Sequence, residues 1–367
     1  MRAELRKFLL IAGVFLFFYF IPFDAEVVKD AIISGFQLLG EYAREHVLLC
    51  LVPAFFVAGA IAVLLRRDFI LKYLGDSAKR YIAFPIASIA GGILAVCSCT
   101  ILPLFAGIYK RGAGIGPATT FLFAGPAINI AAIFLTGRVI GWELAGVRII
   151  GSITAAVITG MIMQRVFKER GEGGFETPDE SSPSTPKALI FIVLMMAFLI
   201  IGGLGINMIL KAVILIALAS GVSLMAFFAF RKEHSVSWVA ETWYFSKKIL
   251  PYLLIGVFAA GIISSVLPEE LVRTLLGGNR ITSALFASVL GMFMYFATLT
   301  EVPVVSSLLS LGMGEGPALA LLMAGNSLSL PSMIVITKLL GKKRAFTYFA
   351  LVVIMSAMAG FIYGSFK

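Results

Sequence analysis

Residues 95–129 read AVCSCTILPLFAGIYKRGAGIGPATTFLFAGPAIN, an apolar stretch that is interrupted by two cysteines, three prolines and several glycines. Proline breaks helices, and a backbone turn inside a membrane leaves N–H and C=O groups that lipid cannot satisfy. The stretch therefore predicts irregular backbone that lines a cavity or packs against protein. Transporters place their solute sites at breaks of this kind.

The whole chain has the composition of a membrane protein. Its mean hydropathy is +0.99, with 60% hydrophobic and 14% charged residues, whereas soluble domains are about half apolar and a quarter charged. A β-barrel would show segments of about 10 residues with alternating hydrophobicity. Here the apolar runs are continuous and long enough for a hydrocarbon core of about 30 Å. The sequence therefore predicts an all-α polytopic membrane protein with spans in 47–65, 115–136, 144–163, 188–206, 212–230, 249–267 and 345–364.

The N-terminus and the charge distribution predict the location of the protein. Residues 1–26 have the basic start and apolar core of a signal peptide, but no small-x-small cleavage site comes before Asp24. We expect a retained first helix. The net charge of +10 comes from basic residues beside apolar runs, which indicates orientation in a membrane rather than nucleic-acid binding. The prediction is a multi-pass protein of the cytoplasmic (inner) membrane, with a cytoplasmic N-terminus and central linker.

The chain is internally duplicated. Residues 103–129 align with residues 303–329 at a constant offset of 200, and many glycines, prolines and alanines coincide. Between the halves, residues 165–187 combine Gly, Pro, Ser and charge in a way that cannot bury a core. We therefore divide the chain into an N-terminal membrane half (1–164), a flexible polar linker (165–187) and a C-terminal membrane half (188–367). Internal duplication is typical of transporters.

The two repeats are expected to be inverted. If every apolar segment crossed the membrane, the basic loops would fall on alternating sides, against the positive-inside rule. If residues 81–110 and 280–311 each enter and leave on one side, the basic clusters share one face and the acidic loops lie on the other. This topology has about nine full spans and two re-entrant hairpins, and it gives the repeats opposite orientations.

The predicted site lies at the hairpin tips, VCSCTILP (96–103) and FATLTEVP (296–303), and at the second interrupted pair, AGPAIN and AGNSLSLP. Inverted symmetry would bring these segments together near the bilayer midplane. The predicted solute-binding residues are Cys97, Ser98, Cys99, Thr100, Pro126, Asn129, Thr298, Thr300, Asn326 and Ser329. The predicted hinge or broken-helix positions are Gly92, Pro103, Gly125, Pro303 and Gly325.

Glu301 and the cysteine pair are the chemically distinctive residues. A carboxylate at membrane depth costs several kcal/mol, so Glu301 is predicted to couple transport to protons unless it lies nearer the interface. Cys97 and Cys99 either pack as small hydrophobes or, if the backbone turns there, act together as soft ligands for a metalloid. No resident metal or cofactor is predicted. The sequence has no phosphate loop, nucleophile elbow or zinc-binding HExxH motif, so an enzyme is not expected.

The run CSCTILPLFAGIYKRGAGIGPATTFLFAGPAIN, with AGNSLSLPSM in the second half, resembles the predicted-permease family that includes the organoarsenical efflux permeases (ArsP-like proteins) of bacteria and archaea. The resemblance extends across both halves and carries the family's cysteine motif onto Cys97 and Cys99. Its glycine and asparagine positions fall on Gly125, Pro126 and Asn129. The resemblance implies an inner-membrane permease, with exporters of trivalent organoarsenicals among its members and a role in arsenical resistance.

Trivalent arsenic is thiophilic, so two sulfurs at one tip suit such a solute. The expected mechanism is alternating access, in which protonation of Glu301 couples export to the proton gradient. The expected partners are the lipid bilayer, a small-molecule or metalloid substrate and protons. Two alternatives stay open. One is a permease for a different solute, such as an anion or a sulfur compound, and the other is a membrane redox component that uses Cys97 and Cys99 as a dithiol.

Overall fold

The computed structural model describes residues 25–44, 47, 51–64, 72–75, 78–93, 98–167, 185–203, 207–266, 274–294 and 301–367. These residues form helices, and no strand ladder occurs within them. The helices are α1 (Glu26–Tyr42), α2 (Val52–Leu64), α3 (Arg80–Ile93), α4 (Ser98–Lys110), α5 (Ile115–Ala127), α6 (Ile130–Val139), α7 (Trp142–Val166), α8 (Thr185–Gly203), α9 (Met208–Phe228), α10 (Lys232–Val266), α11 (Ile281–Phe293), α12 (Glu301–Ser310), α13 (Glu315–Ser327), α14 (Leu330–Leu340) and α15 (Lys342–Gly364).

Several helices are long and apolar enough to cross a membrane. Within the described ranges these are α7, α9, the part of α10 up to Ile263, and α15. The pairs α5–α6 and α13–α14 also qualify if each is one bent span, with bends of 42° and 50°. The chain is thus an all-α polytopic membrane protein with four to six candidate spans in its described part. The count of about nine spans stays a prediction, because the expected first helix falls on residues 1–24, outside that part.

The central linker lies largely outside the described residues. Helix α7 ends at Val166 and helix α8 begins at Thr185. The two helices therefore extend slightly into both ends of the predicted linker, 165–187, and the division of the chain into two membrane halves stays a prediction.

The duplication is visible as a recurrence of five consecutive helices. Helices α3–α7 correspond in order and approximate length to α11–α15. The turns before α5 and α13 are equivalent, because Gly112 and Gly312 have φ values of 102° and 101°, a region that glycine adopts without a steric penalty. The glycines two residues after these turns, Gly114 and Gly314, also form equivalent backbone hydrogen bonds. The N–H of Gly114 donates to the carbonyl of Leu74, and that of Gly314 donates to Leu276.

Helices α3 and α4 are the two arms of one hairpin. Phe84, in the first turns of α3, lies beside Gly116 at the start of α5, whereas Gly91 lies against Gly125 near the end of α5. Ile101, at the start of α4, also lies against Gly125, and α4 then returns to the turn that precedes α5. Both arms therefore occupy the same half of the bundle, as a re-entrant hairpin requires. The residues between the arms, 94–97, lie outside the described ranges.

Helices α11 and α12 repeat this arrangement in the second half. Gly291, near the end of α11, lies against Gly325, and the side chain of Glu301 at the start of α12 approaches the same glycine. Helix α12 then runs back to the Gly312 turn that precedes α13. Each half thus brings the start of a hairpin arm to the end of a broken helix.

The structure gives the local conformation of the predicted hinge or broken-helix positions, and their role as hinges stays a prediction. Gly92, Pro103, Gly125, Pro303 and Gly325 all lie inside helices, and the breaks come three residues after the last glycine of α5 and α13. Gly125 and Gly325 take part in close helix contacts. A Cβ atom on the facing glycine, Gly91 or Gly291, would lie 2.8 or 3.1 Å from the backbone nitrogen of Gly125 or Gly325. Pro303 is the third residue of α12, where its missing N–H has no helical partner to lose. Helix α4 continues through Pro103.

The equivalent helices α7 and α15 pack antiparallel. Gly151 of α7 faces Ala359 near the end of α15. Glu143, in the first turn of α7, pairs with Lys367, just beyond the end of α15, at 2.8 Å. The hydrogen bond from Lys367 to Glu143 raises the pKa of the lysine. The start of one helix thus lies beside the end of its equivalent.

Basic residues gather at one end of the bundle. At this end Arg111 donates to the carbonyl of Val63, Lys110 pairs with Glu241 at 2.7 Å, and Arg344 donates to Tyr109. The opposite end carries the Glu143–Lys367 pair and Glu315, which accepts a hydrogen bond from Tyr363. The two ends of the bundle therefore differ in charge.

Candidate functional site

A fully buried ion pair lies at the level of the helix breaks. Arg148 of α7 and Glu301, the first residue of α12, are both 0% exposed. Arg148 Nη2 is 3.7 Å from Glu301 Oε2. Helix α7 belongs to the first half of the chain and α12 to the second, so the pair joins the two halves. Burying two charges carries a desolvation cost that only good geometry and additional hydrogen bonds repay.

The rest of the Arg148 guanidinium is bound to the broken helix of its own half. Its Nε donates to the carbonyl of Ala127, the last residue of α5, at 3.3 Å, and its Nη1 donates to Thr136 Oγ1 of α6 at 3.0 Å. A helix end leaves carbonyls without intrahelical partners, and lipid cannot satisfy them. Arg148 thus caps the break in α5–α6 and is held with its remaining nitrogen toward Glu301.

Glu301 has few hydrogen-bonding partners for a buried carboxylate. Asn326 of α13 interacts with it, and Gly325 leaves space beside Oε1. Within the described residues, neither carboxylate oxygen forms a hydrogen bond of ordinary geometry, and neither do Arg148 Nη2 and Asn326 Nδ2. Glu301 is the first residue of α12, and the start of a helix is a favourable position for a negative charge.

The break between α13 and α14 is stabilised by serines. Ser329 and Ser332 form a capping box at the start of α14, in which the N–H of Ser329 donates to Ser332 Oγ at 2.8 Å. Ser327, the last residue of α13, donates to the carbonyl of Phe123 in α5 at 3.3 Å. The two broken helices are therefore in direct contact.

The structure brings several predicted solute-binding residues to these breaks. Thr100, Asn129, Asn326 and Ser329 are buried, and Asn129 Oδ1 accepts from the N–H of Ala132 in the first turn of α6. Pro126 lies in the last turn of α5. Cys97, Thr298 and Thr300 lie outside the described residues, as do the side chains of Ser98 and Cys99, which begin helix α4.

Arg148 is the site residue that the sequence reasoning missed. The run 144–163 has the composition of an apolar span, but a single arginine inside such a run is itself a sign of a functional site. At the offset of 200, Tyr348 takes the place of Arg148 and Ile101 takes the place of Glu301. The described part of the chain therefore carries this ion pair once, although its fold repeats.

The chemistry of the site suits a polar solute or a proton. Among the described residues no group of three or more His, Cys, Asp or Glu side chains could hold a metal ion. The site offers a guanidinium, a carboxylate and an amide inside a membrane protein. A separate cavity of about 300 Å³ lies between α2, α8, α9 and α10 and is lined mainly by apolar side chains such as Phe56, Phe198 and Trp238.

Known proteins resemble the chain along most of its length. A family model described as a predicted permease, ArsP_1, matches residues 32–365. The UPF0718 protein MJ0584 of Methanocaldococcus jannaschii is 40% identical over 340 residues, which cover 88% of this chain and 93% of that protein. The UPF0718 protein YraQ of Escherichia coli is 24% identical over 303 residues, which cover 82% of this chain and 72% of that protein. No solved structure matches the chain.

Proposed function

The chain belongs to the predicted permease family, and we propose that it is a secondary-active transporter that exports a small thiophilic solute, such as a trivalent organoarsenical. The observation that carries this proposal is the meeting of two broken helices at a buried ion pair that joins the two halves. Charged residues at membrane depth are costly and mark solute or ion pathways. Broken helices supply backbone groups to such sites.

Alternating access through inverted repeats is the proposed mechanism. Two kinds of contact support it. The equivalent helices α7 and α15 run in opposite directions. The contacts between halves are also reciprocal, since α4 packs against α14 while its equivalent α12 packs against α6. A two-fold relation of this kind would let the same central site face either side of the membrane in turn.

The proposed orientation places the basic end of the bundle in the cytoplasm. Lys110, Arg111 and Arg344 lie at this end, while Glu143 and Glu315 lie at the other. The positive-inside rule then predicts that the central linker is cytoplasmic and that Lys367 is on the outer side of the cytoplasmic membrane.

The thiophilic substrate class rests on the cysteine motif. Ser98 and Cys99 begin helix α4, and Ile101, two residues further along, lies against Gly125 just before the break. This nearness in sequence supports our proposal that the motif lies at the site. Thiolates are soft ligands that suit trivalent arsenic, and we propose Cys97 and Cys99 as its ligands.

Glu301 is the proposed proton-coupling residue. The charged or titratable group that acts on it within the described residues is Arg148. Protonation of Glu301 would neutralise its carboxylate and so break the ion pair between the halves. Proton binding and the relative position of the halves would therefore be linked.

The deciding experiment measures uptake of trivalent methylarsenical into everted membrane vesicles, with and without an imposed proton gradient. We expect gradient-dependent accumulation by the native chain and its loss in Cys97→Ser and in Cys99→Ser. The matched control is Cys50→Ser, in the third cysteine of the chain, which should accumulate the arsenical like the native chain. Absence of accumulation by native, folded protein would contradict the proposed substrate.

A further inference from the structure

Four buried polar atoms without a hydrogen bond of ordinary geometry gather around the ion pair. Arg148 Nη2 and Asn326 Nδ2 are buried donors, and Glu301 Oε1 and Oε2 are buried acceptors. Asn326 interacts with Glu301, but none of the four atoms forms a hydrogen bond of ordinary geometry among the residues that the structure describes. Buried polar groups are rarely left without partners, because each lost hydrogen bond costs free energy. Here donors and acceptors face each other around one carboxylate.

In the structure these atoms do not satisfy one another. Arg148 is held by Ala127 and Thr136 of the first half, while Glu301 is fixed at the start of α12 in the second half. Their separation of 3.7 Å exceeds the 2.7–2.9 Å or so of a charge-assisted hydrogen bond. The packing of the two halves thus maintains two donors and two acceptors that are ready for a ligand.

We propose that Arg148, Asn326 and Glu301 bind hydroxyl groups of the transported solute, and that this solute is a small neutral molecule with at least two hydroxyls. The inference rests on the proposed function, since it assumes that the solute crosses at the helix breaks. A hydroxyl both donates and accepts, so it can bind the guanidinium and the carboxylate together. A simple anion has no proton to donate to Glu301, and a simple ammonium ion has no lone pair for Arg148.

The site also explains how a proton could exchange for the solute. A proton that moves from solution onto a Glu301 oxygen removes one of the two acceptors, so proton and solute compete for Glu301. Helices α13 and α6 pack against α12. Their own ionisable residues, Glu315 and Arg138, lie away from the breaks, near the helix ends. Among the described residues, Arg148 is the charged group that acts on Glu301.

Boric acid tests the site because it is uncharged at neutral pH, carries three hydroxyls and has no affinity for thiols. Its binding to the purified full chain can be followed by boron-11 NMR and by thermal stabilisation. We expect the native chain to bind boric acid, and Asn326→Ala and Glu301→Gln to lose affinity by about tenfold or more. Acidification should weaken binding to the native chain but not to Glu301→Gln. The double variant Arg148→Gln with Glu301→Gln, which buries no lone charge, should not bind.

Two controls separate this inference from the proposed export. Glu241→Gln, which removes a carboxylate from the Lys110 pair at the basic end, and the Cys97→Ser, Cys99→Ser double variant should bind boric acid like the native chain. Cysteine-dependent uptake of the arsenical without boric acid binding, or binding that the Asn326 and Glu301 variants leave unchanged, would overturn the hydroxyl site alone. Boric acid binding without arsenical uptake would support the hydroxyl site and overturn the thiophilic solute.

Discussion

Arg148 meets two requirements that a broken helix creates inside a membrane. It supplies a donor to the carbonyl of Ala127, where α5 ends, and it places a positive charge beside Glu301. Neither charge is exposed to solvent, so each depends on the other for stabilisation. Removal of one partner of a buried pair leaves the remaining charge uncompensated, which costs more than the net contribution of the pair.

The first prediction concerns this dependence. Arg148→Ala should lower the free energy of unfolding by about 3–5 kcal/mol, because Glu301 is then buried without a counter-charge. Thermal or denaturant unfolding in detergent micelles measures the effect. Adding Glu301→Gln to Arg148→Ala should recover part of the loss. The control is Lys110→Ala, which breaks a partly exposed pair and should cost about 1 kcal/mol or less. Equal losses in the two single variants would contradict the prediction.

The second prediction separates binding from coupling at Glu301. Glu301→Gln should abolish accumulation of trivalent methylarsenical against its gradient, because a neutral amide cannot release a proton. Binding of the arsenical through the cysteines should remain, as measured by equilibrium binding to purified protein. Glu241→Gln serves as the matched control and should transport normally. Full concentrative transport by Glu301→Gln would remove Glu301 from the mechanism.

The sequence predicts a functional role for a residue only where that residue is unusual among its neighbours in the chain. The sequence predicts the importance of Glu301 because it is a carboxylate between apolar runs, where a charge at membrane depth is costly. It does not predict the importance of Arg148, because the run that contains Arg148 reads as one apolar helix and its partner lies in the other half of the chain. The pairing depends on packing between halves, which no local pattern contains.

Glycines decide how closely the helices of one half approach each other. Gly91 of α3 lies against the backbone of Gly125 in α5, and Gly291 of α11 lies against Gly325 in α13. Contacts between small residues are the usual means of tight helix packing in membranes. In both halves the contact holds a hairpin arm next to the helix break, so helix spacing and site geometry are linked.

A third prediction tests these contacts. A Cβ atom on Gly91 would lie 2.8 Å from the backbone nitrogen of Gly125, so Gly91→Ala should destabilise the protein by about 1–3 kcal/mol. The nearest atom to a Cβ on Gly291 is 3.1 Å away, and Gly291→Ala should cost less. Gly221→Ala is the control, because nothing lies within 4 Å of that position. It should be neutral or stabilising by about 0.5–1 kcal/mol. Melting temperatures in detergent provide the comparison.

The internal repeat predicts which helices and turns of the two halves are equivalent, but it does not predict the residues at which the helices end. The offset of 200 identified equivalent turns, since Gly112 and Gly312 share a backbone conformation that few other residues adopt. Gly125 is predicted as a hinge or broken-helix position because it belongs to the interrupted motif AGPAIN. Its contact with Gly91 stabilises the helix pair, and that partner is too distant in sequence to be found by a local rule.

At the scale of the whole molecule, the antiparallel contact between α7 and α15 supports the proposed inversion of the two halves. Glu143 and Lys367 meet at one end, and Gly151 faces Ala359 further in. Equivalent helices that run in opposite directions are what inverted repeats require. The antiparallel arrangement of α7 and α15 predicts which pairs of residues on the two helices lie close together.

The fourth prediction is a disulfide between Gly151→Cys and Ala359→Cys in a chain whose three native cysteines are replaced by serine. The Cβ positions are 3.8 Å apart, within the range of about 3.5–4.5 Å that disulfides adopt. Mild oxidation should link the two sites, as detected by electrophoretic mobility after cleavage of the linker. The control pair, Gly151→Cys with Ala345→Cys, should stay reduced, since residue 345 is about 20 Å further along α15. The opposite result would mean that the helices run parallel.

The single occurrence of the Arg148–Glu301 pair bears on how this chain evolved. Tyr348 and Ile101 occupy the equivalent positions. An ancestral homodimer of one half would have been encoded by a single gene, so its two-fold axis would have generated this pair twice or not at all. Fusion of two such copies would remove that restriction, because each copy could then mutate independently. The ancestral half, if reconstructed as a separate protein, would therefore lack the asymmetry on which the present charge arrangement depends.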